Sequence, residues 1–296
     1  MKRHHYELYG LRINSEIGLA LPESERVPPD VVISNGPRLG DPPLSSTIES
    51  EGPAVTMSIA GVGCYRIWAG KRIEVSTAAS TDPAERSLFL LGSAFGVLLQ
   101  QRGILALHAN ATSDGKRAVA VAGVSGAGKS TFAAQLLDAG MTLLSDDVCA
   151  IKMAGEHAFA LPGISRMRLW ADASERLGWS SAGAARVSPR IDKFEFKASK
   201  AVVGAVPLAG IYVLERVEAE SDAGFHRLVG ADAMAALMLN SYRGDLLGLS
   251  GGQVAHFQRC IEVAKTVPVF KWRRPWGTHH AAANLARFLE QIHALD

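Results

Sequence analysis

One glycine-rich stretch constrains the fold of this chain more than any other part of its 296 residues. Residues 117–130 read R-A-V-A-V-A-G-V-S-G-A-G-K-S, and they fill every fixed position of the pattern G-x-x-x-x-G-K-[ST]. In such a loop the glycines let the backbone N–H groups and a helix N-terminus face an anion without an intervening side chain. The stretch therefore predicts a nucleotide-phosphate site between a buried strand at 118–122 and an amphipathic helix at 131–139.

Two side chains of this loop carry its expected chemistry. Lys129 places a point charge on the outer phosphates, and the Ser130 hydroxyl is the expected ligand of a magnesium ion. The alternative, a glycine-rich turn that only joins a strand to a helix, fits less well because the motif and its context agree. The residues predicted to bind the nucleotide are Gly123, Ser125, Gly126, Ala127, Gly128, Lys129, Ser130 and Thr131.

Composition narrows the class of protein and of partner. Hydrophobic residues make up 48% of the chain, which predicts a sizeable packed core. A net charge of +2 gives no electrostatic reason to expect nucleic acid or a membrane surface as partner. The most apolar stretch, residues 88–99, is too short to span a bilayer and predicts a core helix. Three widely spaced cysteines and an N-terminus without an apolar run lead us to expect a cytoplasmic protein with free thiols.

The composition and residue pattern of the chain change near residue 80. Residues 1–80 combine alternating segments with stretches rich in Pro, Gly and Ser, which predicts a small β-rich N-terminal unit. Residues 81–296 predict the nucleotide-binding domain, beginning with a helix that Asp82 can cap. Its strand patterns fall at 104–111, 118–122, 141–145 and 208–215. The expected fold class is α/β, with the nucleotide site at the carboxyl end of a strand.

Three further residues are candidates for chemistry. Asp146 and Asp147 follow Lys129 by 17 and 18 positions, a spacing that fits one helix and a return strand. Phosphoryl transfer needs a carboxylate near the metal and often one that accepts a proton, so two adjacent aspartates can divide those tasks. The plain alternative is a solvated turn. A lone histidine such as His108 is more often structural, although its strand can lie beside the nucleotide strand.

Three ordered motifs resemble the active-site series of HPr kinase/phosphorylases, which are serine kinases. They are H-A-N-A-T at 108–112, G-V-S-G-A-G-K-S at 123–130 and L-L-S-D-D at 143–147. Their order and spacing agree with that family over about a sixth of the chain. The resemblance implies a P-loop fold of the HPr kinase and phosphoenolpyruvate carboxykinase type, with ATP and magnesium as cofactors.

The same resemblance implies roles for individual residues. Lys129 would bind the outer phosphates and Ser130 the magnesium ion. Asp146 would be the base that deprotonates the acceptor serine. Asp147 would be an assisting or metal-side carboxylate, and His108 would be a partner of Asp146.

Residues 161–170, Lys193 and residues 207–214 are similar to a shorter branch of HPr-kinase-like proteins. That branch is found with ribosomally made, modified peptides, lasso peptides among them. The chain lacks the L-E-I-R-G-like stretch and the C-terminal signature of the phosphorylase activity. The resemblance therefore implies a kinase-only enzyme that acts on a serine of a peptide or small protein, plausibly a lasso-peptide-type precursor. Positive charge makes Arg166, Arg168 and Lys193 candidate contacts of that acceptor or of the transferring phosphate.

Two other functions stay open at this point, as does the oligomeric state. A nucleotide-hydrolysing switch or ATPase uses the same kind of loop, but the chain has no N-K-x-D motif and no apolar strand ending in Asp-Glu. A small-molecule kinase is excluded less firmly. Residues 271–276, K-W-R-R-P-W, mix cations with aromatic rings, which indicates a loop flanking the nucleotide pocket or plain packing.

Overall fold

The computed structural model describes residues 3–180, 184–188, 191–197, 202, 204–244 and 252–295. Its first sheet is built from the N-terminal region, in the order β1-β2-β3-β7-β6-β5-β4. The pairs β2–β3 and β3–β7 are parallel and the others antiparallel. The strands are β1 (His4–Leu8), β2 (Leu11–Ser15), β3 (Val31–Asn35), β4 (Thr47–Glu51), β5 (Ala54–Ile59), β6 (Gly63–Trp68) and β7 (Arg72–Thr77).

A helical layer follows and covers this sheet. It runs from α1 (Pro83–Phe89) through a π-helical turn, Leu90–Ala94, into α2 (Phe95–Gln101). As predicted, Asp82 caps the first helix, and its carboxylate accepts a hydrogen bond of 2.7 Å from the N–H of Ala84. The apolar side of this layer shares one buried core with the first sheet and with residues 148–150. Nothing here separates the two parts physically, so the domain boundary near residue 80 stays a prediction.

Twelve further strands are described after α2. They are β8 (Leu105–Leu107), β9 (Ala109–Ser113), β10 (Ala118–Ala122), β11 (Thr142–Ser145), β12 (Cys149–Ala154), β13 (His157–Leu161), β14 (Arg166–Trp170), β15 (Ala185–Ser188), β16 (Ile191–Lys197), β17 (Val206–Val217), β18 (Gly224–Leu228) and β19 (Val269–Pro275). The second sheet contains nine of them, and β14, β16 and β15 form a small third sheet. The chain is thus an α/β protein with mixed sheets.

The strand β10 lies at the middle of the second sheet. It pairs antiparallel with β9 and parallel with β17, which in turn pairs parallel with β19. The carboxyl ends of β10, β17 and β19 therefore meet at one edge, where α/β sheets place their ligand sites. On the other side, β11 pairs antiparallel with β9, which brings the end of β11 to the same edge.

The single strand predicted at 104–111 is wrong in one respect, because it is broken at His108. The segment before the break, β8, pairs with β12, whereas β9 pairs with β10 and β11. At the break the N–H of His108 leaves both ladders and donates to the carbonyl of Asn240 at 2.7 Å. The chain must break its ladder here because β8 and β9 pair with different strands. The break leaves His108 at the edge of the sheet, where it lines the cleft.

Helices cover both faces of the second sheet. They are α3 (Lys129–Asp138), α5 (Gly230–Leu239), α6 (Gln253–Thr266) and α7 (Ala281–His293), whereas α4 (Ala171–Arg176) packs against β14 and β16 of the third sheet. Because successive strand residues point to opposite faces, Val119 and Val121 of β10 pack with the aromatic residues of α3 and α7, and the alternating alanines pack with α5 and α6. No helix in the described part of the chain is long and apolar enough to cross a membrane.

Candidate active site

The glycine-rich loop at 123–128 joins β10 to α3 and depends on glycine at two tight points. Gly123 has a φ of +142°, and a Cβ built there would lie 3.2 Å from Cβ of Leu214. Gly128 precedes α3 with a φ of +84°, and a Cβ there would lie 2.8 Å from Nη2 of Arg274. Residues that have a side chain rarely adopt such φ values. Glycine at these positions therefore leaves the loop backbone uncovered next to the helix N-terminus. This arrangement suits an anion.

A pair of substitutions separates backbone strain from crowding in this loop. Gly126 also has a positive φ, +81°, but a Cβ there would meet nothing within 4 Å. We expect Gly126→Ala to lower the free energy of unfolding by about 1–2 kcal/mol through strain alone. Gly128→Ala should cost roughly 1–3 kcal/mol more, because its methyl group meets Arg274 and Trp276. Urea unfolding of both variants measures the difference, and equal losses would contradict this account of Gly128.

Lys129 is folded into the loop. Its Nζ donates to the carbonyl of Gly123 at 2.7 Å and to that of Val124 at 3.2 Å, and the residue is only 7% exposed. Burial lowers the pKa of Lys129 below its ordinary value, and the charges of Asp147 and Asp146 oppose that effect. The ammonium group is thus held inside the loop by two backbone carbonyls.

The residues predicted to bind a nucleotide all lie in this loop and in the first turn of α3. That turn contributes backbone N–H groups that have no partner within the helix. The eight residues are Gly123, Ser125, Gly126, Ala127, Gly128, Lys129, Ser130 and Thr131.

Asp146 directly follows β11, and both of its carboxylate oxygens are engaged inside the protein. Oδ1 accepts from Nδ2 of Asn110 at 2.7 Å, and Oδ2 accepts from the backbone N–H of Arg168 at 2.8 Å. The residue is 7% exposed. Burial raises the pKa of Asp146 to about 6, the neighbouring charge of Asp147 adds to the rise, and Arg168 opposes it. Asp146 therefore ties β9, β11 and β14 together and is turned away from solvent.

Asp147 has the opposite environment although it is the next residue. Its φ is +69°, and the N–H of Val148 donates to the carbonyl of Asp146 at 2.8 Å, which closes a tight turn around it. The Asp147 side chain is 41% exposed, and its Oδ1 lies 3.2 Å from Nδ1 of His108. Burial tends to raise the pKa of Asp147, but the hydrogen bond and charge of His108, with that of Arg168, outweigh it and hold this pKa below the ordinary value. An ionised carboxylate is therefore available at this position.

The expected pairing of His108 with Asp146 is wrong. Nδ1 of His108 contacts both Oδ1 and the backbone carbonyl of Asp147, each at 3.2 Å, and the partner of Asp146 is Asn110. Sequence reasoning passed over Asn110, although it was part of the quoted motif. The available signal was a polar side chain within an otherwise small and apolar buried strand, where such a group needs a partner.

The three separated motifs meet at one open cleft of about 1450 Å³. Its lining includes His108, residues 123–127 of the glycine-rich loop and Asp147. The remaining walls come from the ends of β17 and β19 and from α5 with the residues that follow it. A group bound at the loop and a group bound at Asp147 would therefore face each other across a single space.

The three cations predicted to contact an acceptor lie on the small third sheet. Arg166 and Arg168 both form ion pairs with Glu195 of β16, at 2.7 and 3.3 Å, and Arg166 also donates to the carbonyl of Ala20. Nζ of Lys193 lies 4.9 Å from the ring centroid of Trp170. Glu195 thus neutralises much of the charge of the two arginines, and no local pattern in the sequence indicates that this carboxylate lies beside them.

The oxygen donors near the loop fit magnesium of the kind that accompanies a nucleotide. Ser130, with its hydroxyl, is the second residue of α3, and the Asp147 carboxylate lines the cleft. The described residues contain no group of three or more His, Cys, Asp or Glu side chains that could hold a metal by themselves. Magnesium characteristically takes one or two protein oxygens and completes its shell with phosphates and water, so this small donor set is compatible with it.

The raised pKa of Asp146 predicts a specific pH dependence of stability. Because the folded chain binds this proton more tightly than the unfolded chain does, its stabilising contribution is fully present below about pH 4 and is lost as pH rises through about 6. The difference in free energy of unfolding between the wild type and Asp146→Asn should therefore change by roughly 2–3 kcal/mol between pH 4 and pH 7. Chemical denaturation across that range measures it, and parallel curves for the two proteins would show that Asp146 does not titrate as described.

No protein-family model and no curated protein sequence matches this chain. Among solved structures, it is similar to the Hpr(Ser) kinase/phosphatase from Coxiella burnetii, with 15% sequence identity and a TM-score of 0.36. The similar region covers 64% of this chain and 90% of that chain.

Proposed function

We propose that the protein transfers the γ-phosphoryl group of ATP to a serine hydroxyl of a peptide or small protein. One observation carries the proposal: a single cleft joins a glycine-rich loop suited to polyphosphate with the carboxylate of Asp147, which His108 holds. The carboxylate of Asp147 can accept a proton from an attacking hydroxyl while the loop holds the polyphosphate. Transfer to a hydroxyl needs both.

The loop and α3 would bind and polarise the polyphosphate. Its backbone N–H groups and Lys129 would balance the charge spread over the transferring group, which is the main electrostatic contribution in reactions of this type. Lys129 would exchange its present carbonyl partners, Gly123 and Val124, for phosphate oxygens. A magnesium ion, held by Ser130 and the nucleotide phosphates, would supply further neutralisation of that charge.

Asp147 is the better candidate for the base, in place of Asp146. A base must reach the acceptor hydroxyl, and both oxygens of Asp146 are engaged with Asn110 and Arg168 in a buried position. Asp147 lines the cleft and is ionised, so its accessibility, rather than its proton affinity, makes it the carboxylate that can take the serine proton. The serine oxygen then attacks phosphorus as the bond to the β-phosphate oxygen breaks. His108 would hold the Asp147 carboxylate in position.

Asp146 would act as a positioning residue. It connects the strand carrying Asn110 to the backbone of Arg168 at the point where the chain turns into Asp147. Loss of that anchor would let the turn around Asp147 relax. Asp146 would thus support the turn, and Asp147 would act as the base.

The class of acceptor is proposed from the cleft and from the sequence. A volume of about 1450 Å³ exceeds the roughly 300–1,000 Å³ typical of sites for small ligands, so it has room for a polypeptide segment beside a nucleotide. The similarity of residues 161–170 and 207–214 to the shorter HPr-kinase-like branch favours a lasso-peptide-type precursor. The missing phosphorylase signature favours kinase-only activity.

A labelling experiment tests the proposal. The protein is incubated with γ-labelled ATP and magnesium, together with serine-containing precursor peptides encoded beside its gene. Phosphate should appear on the peptide, and a peptide with its serines replaced by alanine should stay unlabelled. If label appeared only as inorganic phosphate whatever peptide was offered, the hydrolysing-switch alternative would replace the kinase. Label on a small metabolite and on no peptide would instead favour a small-molecule kinase.

A further inference from the structure

A second cavity lies at the α3 end of the glycine-rich loop, at Gly128, whereas Asp147 and residues 123–127 line the large cleft. It has a volume of about 220 Å³ and is bounded by the N-terminal turns of α3, the end of α4 and the residues after β19. The residues that matter for the argument are Gly128, Thr131, Gln135, Arg274, Trp276 and Thr278. Gly128 and Thr131 belong to the phosphate-binding loop and helix turn, and the other four residues have no part in the proposed transfer chemistry.

Trp276 forms the partition between this cavity and the large cleft, because it lines both. Its indole is 42% exposed, and the edge of its six-membered ring lies 3.2–3.3 Å from where a Cβ of Gly128 would be. A large, partly exposed aromatic ring beside the N-terminus of α3 is placed to stack against a flat group joined to a bound phosphate. Two other exposed tryptophans, Trp68 on the first sheet and Trp170 on the third, line neither this cavity nor the cleft.

Arg274 forms the floor of the cavity and is a buried cation. It is 9% exposed, and within the described residues it makes no ion pair. Its Nη2 donates to the carbonyl of Ala127 at 3.0 Å, and its guanidinium carbon lies 5.8 Å from the ring centroid of Trp276. The rings of Phe132 and Trp272 lie 5.3 and 5.2 Å away. A buried guanidinium without a carboxylate is costly, so an anionic ligand on the adjacent loop would offset part of that cost.

The position of Asp147 determines which end of a bound nucleotide would lie at the small cavity. The γ-phosphoryl group must face Asp147 across the cleft, so the nucleoside must leave the loop at its opposite end. Thr131 and Gln135 are four residues apart on α3, share one face and lead from the loop into the small cavity. The cavity is too small for a polypeptide but suits a planar heterocycle edged by the polar groups of Gln135 and Thr278.

We propose that this cavity binds the base of the nucleoside triphosphate, with Trp276 as its stacking wall and Arg274 fixing that wall to the loop. This inference rests on the proposed function, because it assumes that the loop binds the triphosphate. It assigns substrate affinity to Arg274 and Trp276. Both belong to residues 271–276, for which the sequence left open a loop flanking the nucleotide pocket or plain packing.

Calorimetric titration with two ligands tests the inference. ATP has both a base and a triphosphate, whereas inorganic tripolyphosphate has only the latter. Trp276→Ala should weaken ATP binding by about tenfold or more and change tripolyphosphate binding by less than about twofold. Trp276→Phe should keep most of the ATP affinity, since it keeps a stacking surface. Trp68→Ala, an equally large truncation on the first sheet, is the matched control and should leave both affinities unchanged.

If Trp276→Ala fails to fold, a variant that fills the small cavity with a larger side chain still tests the inference. Ala281 lines the same cavity, and Ala281→Phe should block a base without removing any contact of the loop. It too should weaken ATP binding and spare tripolyphosphate. If folded Trp276→Ala and Ala281→Phe both bound ATP like the wild type, the base site would be overturned while the proposed function stood. If the wild type bound neither ligand, the proposed function would fail and the base site with it.

Discussion

Replacing Lys129 by alanine is expected to reduce phosphoryl transfer by about 10²–10³-fold and to weaken nucleotide binding as well. The ammonium group is the one side-chain cation buried inside the loop, among the described residues, and it lies where the outer phosphates would be bound. Its charge is favourable both in the bound state and, more strongly, in the transition state, where charge on the transferring group is spread over its oxygens. Steady-state kinetics with labelled ATP would give kcat and KM separately.

Lys116→Ala serves as the matched control for this substitution. Lys116 is an exposed lysine in the turn before β10, and it is not among the residues that line the cleft. Its truncation should leave kcat and KM within about twofold of the wild type. A Lys129→Ala protein that was folded and transferred phosphate at the normal rate would show that the loop does not hold the reacting phosphates.

Asp147→Asn is expected to give the second large effect, a fall in kcat of about 10²–10⁴-fold with ATP affinity nearly unchanged. Asparagine keeps the size of the side chain and its contact with His108 but cannot accept the serine proton. ATP affinity should change little because the loop supplies the phosphate contacts. Single-turnover transfer to the acceptor peptide and calorimetric binding of ATP would separate the two quantities.

Asp146→Asn is the matched comparison, since it makes the same chemical change one residue away. An amide at position 146 can still accept from the N–H of Arg168, and a rotated Asn110 amide can accept from it, so the buried anchor is preserved. We expect a loss of about tenfold or less in kcat. If Asp146→Asn abolished transfer and Asp147→Asn retained it, the assignment of support and base would be reversed.

The local patterns of the sequence predicted the elements that carry the site. The alternating valines and alanines of residues 118–122, followed by glycines with fixed spacing, specify a buried strand, a loop and a helix within twenty residues. The hairpin of β6 and β7 is equally local, and it closes through Ala69 and Gly70 with positive φ values of +50° and +64°. Because these interactions join residues that are close together in the sequence, the local sequence alone is enough to predict the elements.

The pairing of the catalytic candidates could not be predicted in the same way. It depends on the turn with φ of +69° at Asp147, which sends adjacent carboxylates in opposite directions. It also depends on contacts between residues far apart in sequence, such as Asn110 with Asp146 and Arg168 with Glu195. The strands β13 to β16 were missed for a related reason, because short strands gain their stability from partners that periodicity alone does not identify.

The measurement that tests the central claim most directly is the fate of the γ-phosphoryl group in the presence of an acceptor peptide. The wild type, Asp147→Asn and Asp146→Asn are incubated with γ-labelled ATP and magnesium, and the phosphorylated residue is mapped in each peptide product. The account predicts phosphoserine with the wild type, a reduced yield with Asp146→Asn and almost none with Asp147→Asn. Phosphoserine formed equally fast by all three proteins, or label released by the wild type only as inorganic phosphate, would contradict it.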